Sequence, residues 1–539
     1  MIAVQVSNGT VRLRQEYTDR IAQTIDGLEY SPLAREWRGR LTEGLACALV
    51  RALPRDVLPP AVVEIAERVG SWRTAEIAPQ GGLWHHQSRG IEMICSQTAG
   101  MLAWDMGTGK TRAVVEALKR LNAGRVLVLA PKSVVPVWPA ELERWHSTLY
   151  AIALGSGDTA IRATRLAAAA QQFKRIAAVL NYEAVLREGL LHAVQQVPWD
   201  VLVCDESHRL KSPSGRISHV VAALARTIPR RVFLTGTPMP HSPLDIYAQF
   251  RALDPAVLGR SFVRFRARYA VMGGWQNRQV LRFTNLDELE QRLAPWMYRI
   301  SRDQVLDLPP QVWETRYCDP TLEALVLSQT LERELIAEVQ AGAVATAPNV
   351  LVRLLRQQQI SSGFVEDDRG ECNPLGTWKA DALREVLDDL PPQEPVVVFA
   401  RFLHDIEAIR RTAWEAGRPC SVLTGKENDV GPRWKPKPGE VAAIQIHAGG
   451  LGIDLSAAAT AVYYSATWDG GDWLQSQARL HRFGQQRHVL FIKLVTRGIF
   501  DEHLYRALER RQHIVDAVLE AIRSGMLDQR EAPCRTTAT

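Results

Sequence analysis

Two stretches of this 539-residue sequence have side chains that could do chemistry together: Gly107-Thr108-Gly109-Lys110-Thr111 and Asp205-Glu206-Ser207-His208. Glycine has no Cβ, so the backbone N–H groups of a glycine-rich turn can close around a phosphate. A helix beginning there adds its positive dipole end. Lys110 would bring a charge to the outer phosphates and Thr111 a hydroxyl to Mg²⁺. The strict eight-residue phosphate-loop pattern asks for glycine where Trp104 stands, so the stretch by itself also fits a flexible turn opening an ordinary helix. The acidic pair follows the apolar run VLVC. A carboxylate at a strand end can hold Mg²⁺ while its neighbour orients or deprotonates a water, which suits Asp205 to the metal and Glu206 to the base. A lone acidic pair is usually a solvated strand end. Downstream of a phosphate loop, it points to nucleotide hydrolysis.

Elements that could position these residues are legible in the apolar pattern. A helix-prone run, RGIEMICSQTAGMLA, leads into the loop, and RAVVEALKRL follows it with apolar residues at helical spacing. From residue 83 short apolar runs alternate with amphipathic helices, which predicts α/β layers with parallel sheets. The candidate strands are RVLVLAP, IAAVLNY, VLVCDE and RVFLTGT, then, after an irregular arginine- and aromatic-rich stretch, VVVFAR, VAAIQIHA, AVYYSA and HVLFIKLV. Several end in polar or glycine-rich residues, where open parallel sheets place their ligands. The expected organisation is a small helical N-terminal module (1–80), a first lobe (81–251), an insertion and inter-lobe helical region (252–378), a second lobe (379–513) and a tail (514–539).

Composition excludes several classes. At 46% hydrophobic and 23% charged, the chain can bury a large core, and wholesale disorder is not expected. Its net charge of +6 agrees with a polyanion partner without demanding one. Seven cysteines are scattered with no C-x-x-C pair, which argues against structural zinc and for a reducing cytosol; the cell expected is a prokaryotic or phage-infected one. No apolar run reaches membrane-spanning length, and residues 1–20 lack a signal-peptide pattern, so a cytoplasmic rather than secreted protein is expected.

LAWDMGTGKT, VLVLAPKSVVPVW, DESHRLKSP, LTGTPMPHSPLDIYAQFRALDP, AGGLGIDL and QARLHRFGQ occur in the order seen in helicase superfamily two, and the chain resembles its Snf-type branch of double-stranded DNA translocases. The resemblance covers residues 83–508. It implies two RecA-like lobes with ATP between them and Mg²⁺ as cofactor. It assigns Gln87 to the adenine edge and Met106, Gly107, Thr108, Gly109, Lys110, Thr111, Gly452 and Asp454 to the nucleotide. Arg479 and Arg482 match the arginines that reach the γ-phosphate. Arginine's fixed fork of donors suits a phosphoryl transition state, and three residues apart on a helix the two would share a face. His208 and Thr235-Gly236-Thr237 match residues that couple hydrolysis to lobe movement, and Gly449 and Gly450 a turn near the ribose and DNA backbone. DNA contacts carried over in the same way are Lys132, Arg209, Lys211, Arg401, Gly425, Lys426 and Trp468. Trp468 is followed by Asp469-Gly470 where the family has W-N-P, so a packed core tryptophan fits as well. Trp104 replaces the usual acidic residue of the loop, and Asp105 is placed to fill part of its role. The short, proline-rich GPRWKPKPGE predicts a trimmed second lobe. The leading expectation is an ATP-driven motor on double-stranded DNA. The rivals are a strand-separating or annealing helicase, and a non-catalytic DNA-binding scaffold.

Overall fold

Continuous apolar runs of five or six residues bury both faces of a strand, and they do so here in two parallel sheets. The computed structural model describes residues 2–14, 21–77, 82–146, 148–240, 242–273, 279–305, 308–340, 347–367, 371–431, 434–447, 453–482 and 484–509. The chain divides into two units, 1–306 and 307–539.

The first unit opens with β1 (Ala3–Ser7), β2 (Thr10–Arg14), β3 (Glu29–Ser31) and β4 (Glu36–Arg40), an antiparallel sheet in the order β1-β2-β4-β3. Helices Glu43–Ala52 and Pro60–Arg68 pack on it. The helical reading of this module therefore holds for its second half and is corrected for its first. Val11, Leu13, Leu45, Leu49 and Val62 are fully buried between sheet and helices. Glu43 fastens the module to the lobe that follows, its carboxylate accepting from Thr98 N at 2.8 Å and Thr98 Oγ1 at 2.9 Å.

That lobe contains β5 (Ala99–Trp104), β6 (Arg125–Ala130), β7 (Tyr150–Ala153), β8 (Ile176–Asn181), β9 (Val201–Asp205) and β10 (Arg230–Leu234). The run before the phosphate loop is thus a helix, His85–Ser96, followed by a strand, β5, and not one helix-prone segment. A hairpin of β11 (Ala270–Gly273) and β12 (Gln279–Phe283) precedes β13 (Met297–Ile300). The sheet order is β13-β5-β10-β9-β6-β8-β7, every pair parallel. β13 lies in the stretch expected to be an insertion, yet it completes the first lobe.

The second unit begins with β14 (Gln311–Cys318), also expected in the insertion and also part of a lobe. The long helices Leu322–Gln340 and Ala347–Ser361 follow, then a small ribbon of β15 (Phe364–Glu366) and β16 (Cys372–Pro374). Next come β17 (Val396–Ala400), β18 (Cys420–Leu423), β19 (Val441–Gln445), β20 (Thr460–Tyr463) and β21 (Val489–Thr496). The order is β14-β21-β20-β17-β19-β18, again all parallel. Between β18 and β19 the described residues form no helix, and Trp434 sits 3% exposed in the core as the anchor of the short proline-rich connection. Both lobes have the parallel α/β architecture of RecA-like domains.

A buried ion pair joins two helices of this unit. Lys379, in the first turn of Trp378–Asp389, lies 2.7 Å from Asp501, which opens helix Asp501–Glu509. The two side chains are 1% and 3% exposed. Asp501 otherwise accepts from Thr496 N at 3.1 Å. Removing the lysine leaves a carboxylate in the core without its countercharge, so Lys379→Ala should cost about 3–5 kcal/mol of stability. Urea denaturation of the purified protein checks this, and a loss under about 1 kcal/mol would contradict a functional pairing of these charges.

Candidate active site

β10 lies between β5 and β9, so three strand ends meet at one edge of the first sheet. Asp205 is in register with Leu234, and Leu234 with Leu102. The segments leaving these strands are the phosphate loop, the acidic pair and Thr235-Gly236-Thr237. All three sequence signals therefore converge at the carboxyl edge, where an open parallel sheet binds its ligand.

The loop is shaped by two left-handed residues, Gly107 at φ 80° and Gly109 at φ 81°. Gly109 caps helix Lys110–Arg120, and a Cβ there would run into the Gln87 carboxamide. Lys110 Nζ donates to the carbonyl of Trp104 at 2.7 Å and to that of Asp105 at 3.3 Å, which holds the ammonium beside the loop. Thr108 is buried, its hydroxyl on the Asp105 carbonyl at 2.7 Å. Gln87 accepts from Trp84 N at 3.0 Å and donates to the Thr108 carbonyl at 3.3 Å, so it caps its helix and grips the loop. His86 contacts the same carbonyl at 2.9 Å. Sequence reasoning passed over His86, though its place beside Gln87 in LWHHQ was the available signal. Met106 approaches Gly236 and Thr111 is half-buried on the helix's first turn.

Trp104 is fully buried, packed against Gly90 and edge-on to His86 and Tyr298 at centroid distances of 4.9 and 5.6 Å. The departure from the family pattern is filled with core, not with a substitute charge. Asp105 does not supply that charge freely either, because its carboxylate accepts from Arg302 N at 3.0 Å and so fastens the loop to the segment after β13.

Asp205 ends β9 with 7% exposure. Its carboxylate accepts from the Trp138 indole at 3.0 Å and from Glu206 N at 3.0 Å. Burial, and then the charge of Glu206, push its pKa up to about 6, while the Trp138 bond and the nearby Lys110 ammonium oppose the rise. Trp138 stands inside the quoted VLVLAPKSVVPVW but its role was not foreseen. Glu206 has left-handed backbone angles, φ 51° and ψ 52°, which a non-glycine residue adopts at a cost of order 1–3 kcal/mol. His208 Nδ1 lies 3.3 Å from Glu206 Oε2 and 3.2 Å from Thr235 Oγ1, so one imidazole touches both the acidic pair and the neighbouring strand end. Thr235 Oγ1 also accepts from Thr237 N at 3.1 Å. A second bridge runs through Gln249, fully buried, which accepts from Ser207 Oγ at 2.9 Å and donates to the Pro238 carbonyl at 2.6 Å.

Lys132 and Arg209 are exposed, Arg209 beside Glu183 at 3.4 Å, and Lys211 is half-buried. In the second unit, Arg401 follows β17, Gly425 and Lys426 follow β18, and Trp468 follows β20, so these residues gather at the carboxyl edge of the second sheet. Gly425 and Lys426 are exposed. The Arg401 guanidinium stacks 3.9 Å from the Trp468 ring centroid and donates to Gln358 Oε1 at 2.9 Å. Burial lowers its pKa to about 10, which still leaves it charged near neutral pH. Trp468 is partly buried and packs against the core of the second lobe. Asp454 Oδ1 accepts from Ser456 N and Oγ at 3.0 and 2.6 Å. Gly449, Gly450 and Gly452 lie outside the described residues. Arg479 sits in the last turn of helix Gly470–Leu480, but Arg482 lies beyond its end, so the expected shared helical face is not formed. His481 terminates the helix through contacts of 2.7 Å with the Pro309 carbonyl and 2.7 Å with Gln311.

A parallel-sheet lobe with a glycine-rich loop opening a helix, a strained acidic residue and a threonine turn gathered at its carboxyl edge has the arrangement of a nucleotide-binding α/β site. The chain belongs to the SNF2-related domain family, whose sequence pattern matches residues 34–362. It is 24% identical over 496 residues to the SWI/SNF chromatin-remodeling complex subunit snf22 of Schizosaccharomyces pombe, covering 84% of this chain and 29% of that protein. It is 25% identical over 439 residues to the DNA annealing helicase and endonuclease ZRANB3 of Bos taurus, covering 78% of this chain and 39% of that one. Among solved structures it is similar to the Sulfolobus solfataricus SWI2/SNF2 ATPase core in complex with dsDNA, with 22% identity, a TM-score of 0.40, and coverage of 85% of this chain and 97% of that chain. The chain thus spans well under half the length of these curated relatives. Among the described residues, no helix is long and apolar enough to cross a membrane.

Proposed function

We propose that this chain hydrolyses ATP and uses the energy to track along double-stranded DNA. The observation that carries the reading is the meeting of Lys110, Asp205 and Glu206 at one sheet edge, close enough for Lys110 and Glu206 to act in opposite senses on the Asp205 carboxyl. Lys110, Gly107, Gly109 and Thr111 would hold the phosphates, with Gln87 and Met106 beside the nucleotide. Mg²⁺ fits the donors present, because it takes hard oxygen ligands and shares them with phosphates. Asp205 and Thr111 would offer such oxygens, and no group of three or more metal-binding side chains is found among the described residues that would suit a protein-only cage. Bound there, the ion would neutralise charge on the phosphates. Glu206 would take the proton of the attacking water, and Arg479 and Arg482 would stabilise charge in the transition state. His208 and Thr235 would report the state of Glu206 to the neighbouring strand end.

Lys132, Arg209, Lys211, Arg401 and Lys426 would contact phosphates, giving affinity that is independent of sequence and sensitive to salt. A triplex-displacement assay tests the tracking. The third strand should leave only with ATP, while the duplex stays paired, and the effect should weaken as salt rises. ZRANB3's description as an annealing helicase gives the rival reading its weight. ATP-dependent separation or annealing of forked strands without triplex displacement would favour that rival over duplex tracking.

A further inference from the structure

The N-terminal sheet has two unlike faces. Along β2, Val11 and Leu13 are buried while Arg12 and Arg14 are exposed, and along β4 Gly39 is buried while Arg38 and Arg40 are exposed. Arg12 stands directly opposite Arg38, and Arg40 opposite Thr10. Like charges facing each other across strands destabilise a sheet, so four arginines on one outer face call for an explanation. Glu36 supplies part of it. Its carboxylate is 1% exposed and lies 2.7 Å from Arg38 Nε, 3.0 Å from Arg14 Nε and 3.8 Å from Arg12 Nε. Hydrogen bonds from Arg38 and then Arg14 hold it below the usual carboxylate range. One carboxylate offsets one of the four guanidinium charges. Glu29, opposite Arg38 on β3, is already paired with Arg260. The outer strand β1 offers Ala3, Gln5 and Ser7 to this face, none of them charged.

Among the described residues, the face therefore keeps an excess of positive charge held in a fixed array. Residues two apart on a strand are about 6.6 Å apart, and a planar guanidinium matches a phosphate with two parallel donors. We infer that the outer face of this sheet, through Arg12, Arg14, Arg38 and Arg40, is a second contact for the phosphate backbone of duplex DNA, separate from the strand-end residues of the two lobes. Glu36 orients the guanidiniums while offsetting only one of their charges. The inference rests on the DNA-motor reading and adds a binding surface to it.

The test is the full-length Arg12→Gln/Arg40→Gln double variant. It leaves Arg14 and Arg38 on Glu36, because Arg12 is the most distant of the three partners and Arg40 instead donates to the Arg226 carbonyl. Thermal unfolding reports whether the module still folds. Binding to a fluorescent duplex is measured by anisotropy across a KCl series for wild type, the double variant and Arg165→Gln, an exposed arginine on helix Thr159–Gln172. Each phosphate contact contributes about 0.9 to the slope of log affinity against log salt, so losing two should make the double variant's slope shallower by roughly 1.8. Its affinity should fall, while ATP turnover at saturating DNA and the slope of Arg165→Gln stay at the wild-type level. A folded double variant with the wild-type slope and affinity, on DNA that wild type binds, overturns this inference and leaves the motor reading standing. Wild-type protein that neither binds duplex nor responds to it in ATP turnover overturns both.

Discussion

Glu206→Gln should keep ATP bound and lose hydrolysis by about 10²–10⁴-fold, the range that a general base contributes. The amide is isosteric and removes a negative charge from beside the phosphates, so Lys110 and the loop remain in place and nucleotide binding is not weakened. What disappears is the acceptor for the water's proton. The strained φ of 51° at this position supports the assignment, since backbone strain persists where the surrounding structure enforces it and concentrates at sites of function. A fluorescent-nucleotide titration beside a phosphate-release assay separates the two effects. If binding and turnover fell together, Glu206 would be shaping the pocket and not handling the proton. The variant should also be inert in triplex displacement.

Lys110→Ala should do the opposite to the first step. The ammonium sits on the carbonyls of Trp104 and Asp105 beside the loop, and its removal would delete the charge that the proposed site brings from the first lobe to the outer phosphates. ATP affinity should drop severely, and turnover should fall by about 10²–10³-fold or more, as for loss of a preorganised electrostatic donor. Lys110 also lowers the Asp205 pKa, so the variant's Asp205 would be protonated at higher pH than in wild type. The loss in turnover should therefore be deeper at pH 6 than at pH 8. DNA-stimulated hydrolysis near the wild-type rate would remove Lys110 from the site. The two substitutions together distinguish holding the nucleotide from cleaving it.

How much of this was legible in the sequence depends on how local each signal is. The acidic pair, the phosphate loop and the threonine turn were readable because each is a short run following an apolar strand, and parallel-sheet geometry then brings them together. The N-terminal sheet was overlooked, although AVQVS and TVRLR alternate with period two around Asn8-Gly9. Those two residues have φ of 50° and 70°, the left-handed pair of a tight hairpin turn. That dipeptide was the missed clue. β13 and β14 were assigned to an insertion because MYRI and QVWETRYC are edge strands, half-exposed and without a continuous apolar run. Trp104 shows the limit of motif comparison: the family pattern marks the position as a departure, but only packing against Gly90, His86 and Tyr298 reveals that the ring belongs to the core. Arg482 shows the same limit for helix geometry, since the contacts of His481 that end the helix come from residues far away in sequence.

The placement of β13 and β14 has a consequence for how the protein is made. During synthesis β5 emerges long before β13, so one side of it stays unpaired while the intervening chain is still being translated. The second lobe is more exposed to this delay. β14 is its first strand, and its neighbour in the sheet is β21, its last. Pairings of such long sequence separation form slowly, and unpaired strand edges invite aggregation in the meantime. A nascent chain stalled before residue 489 would carry β14 as an orphan edge, open to whichever chaperone or neighbouring strand reached it first.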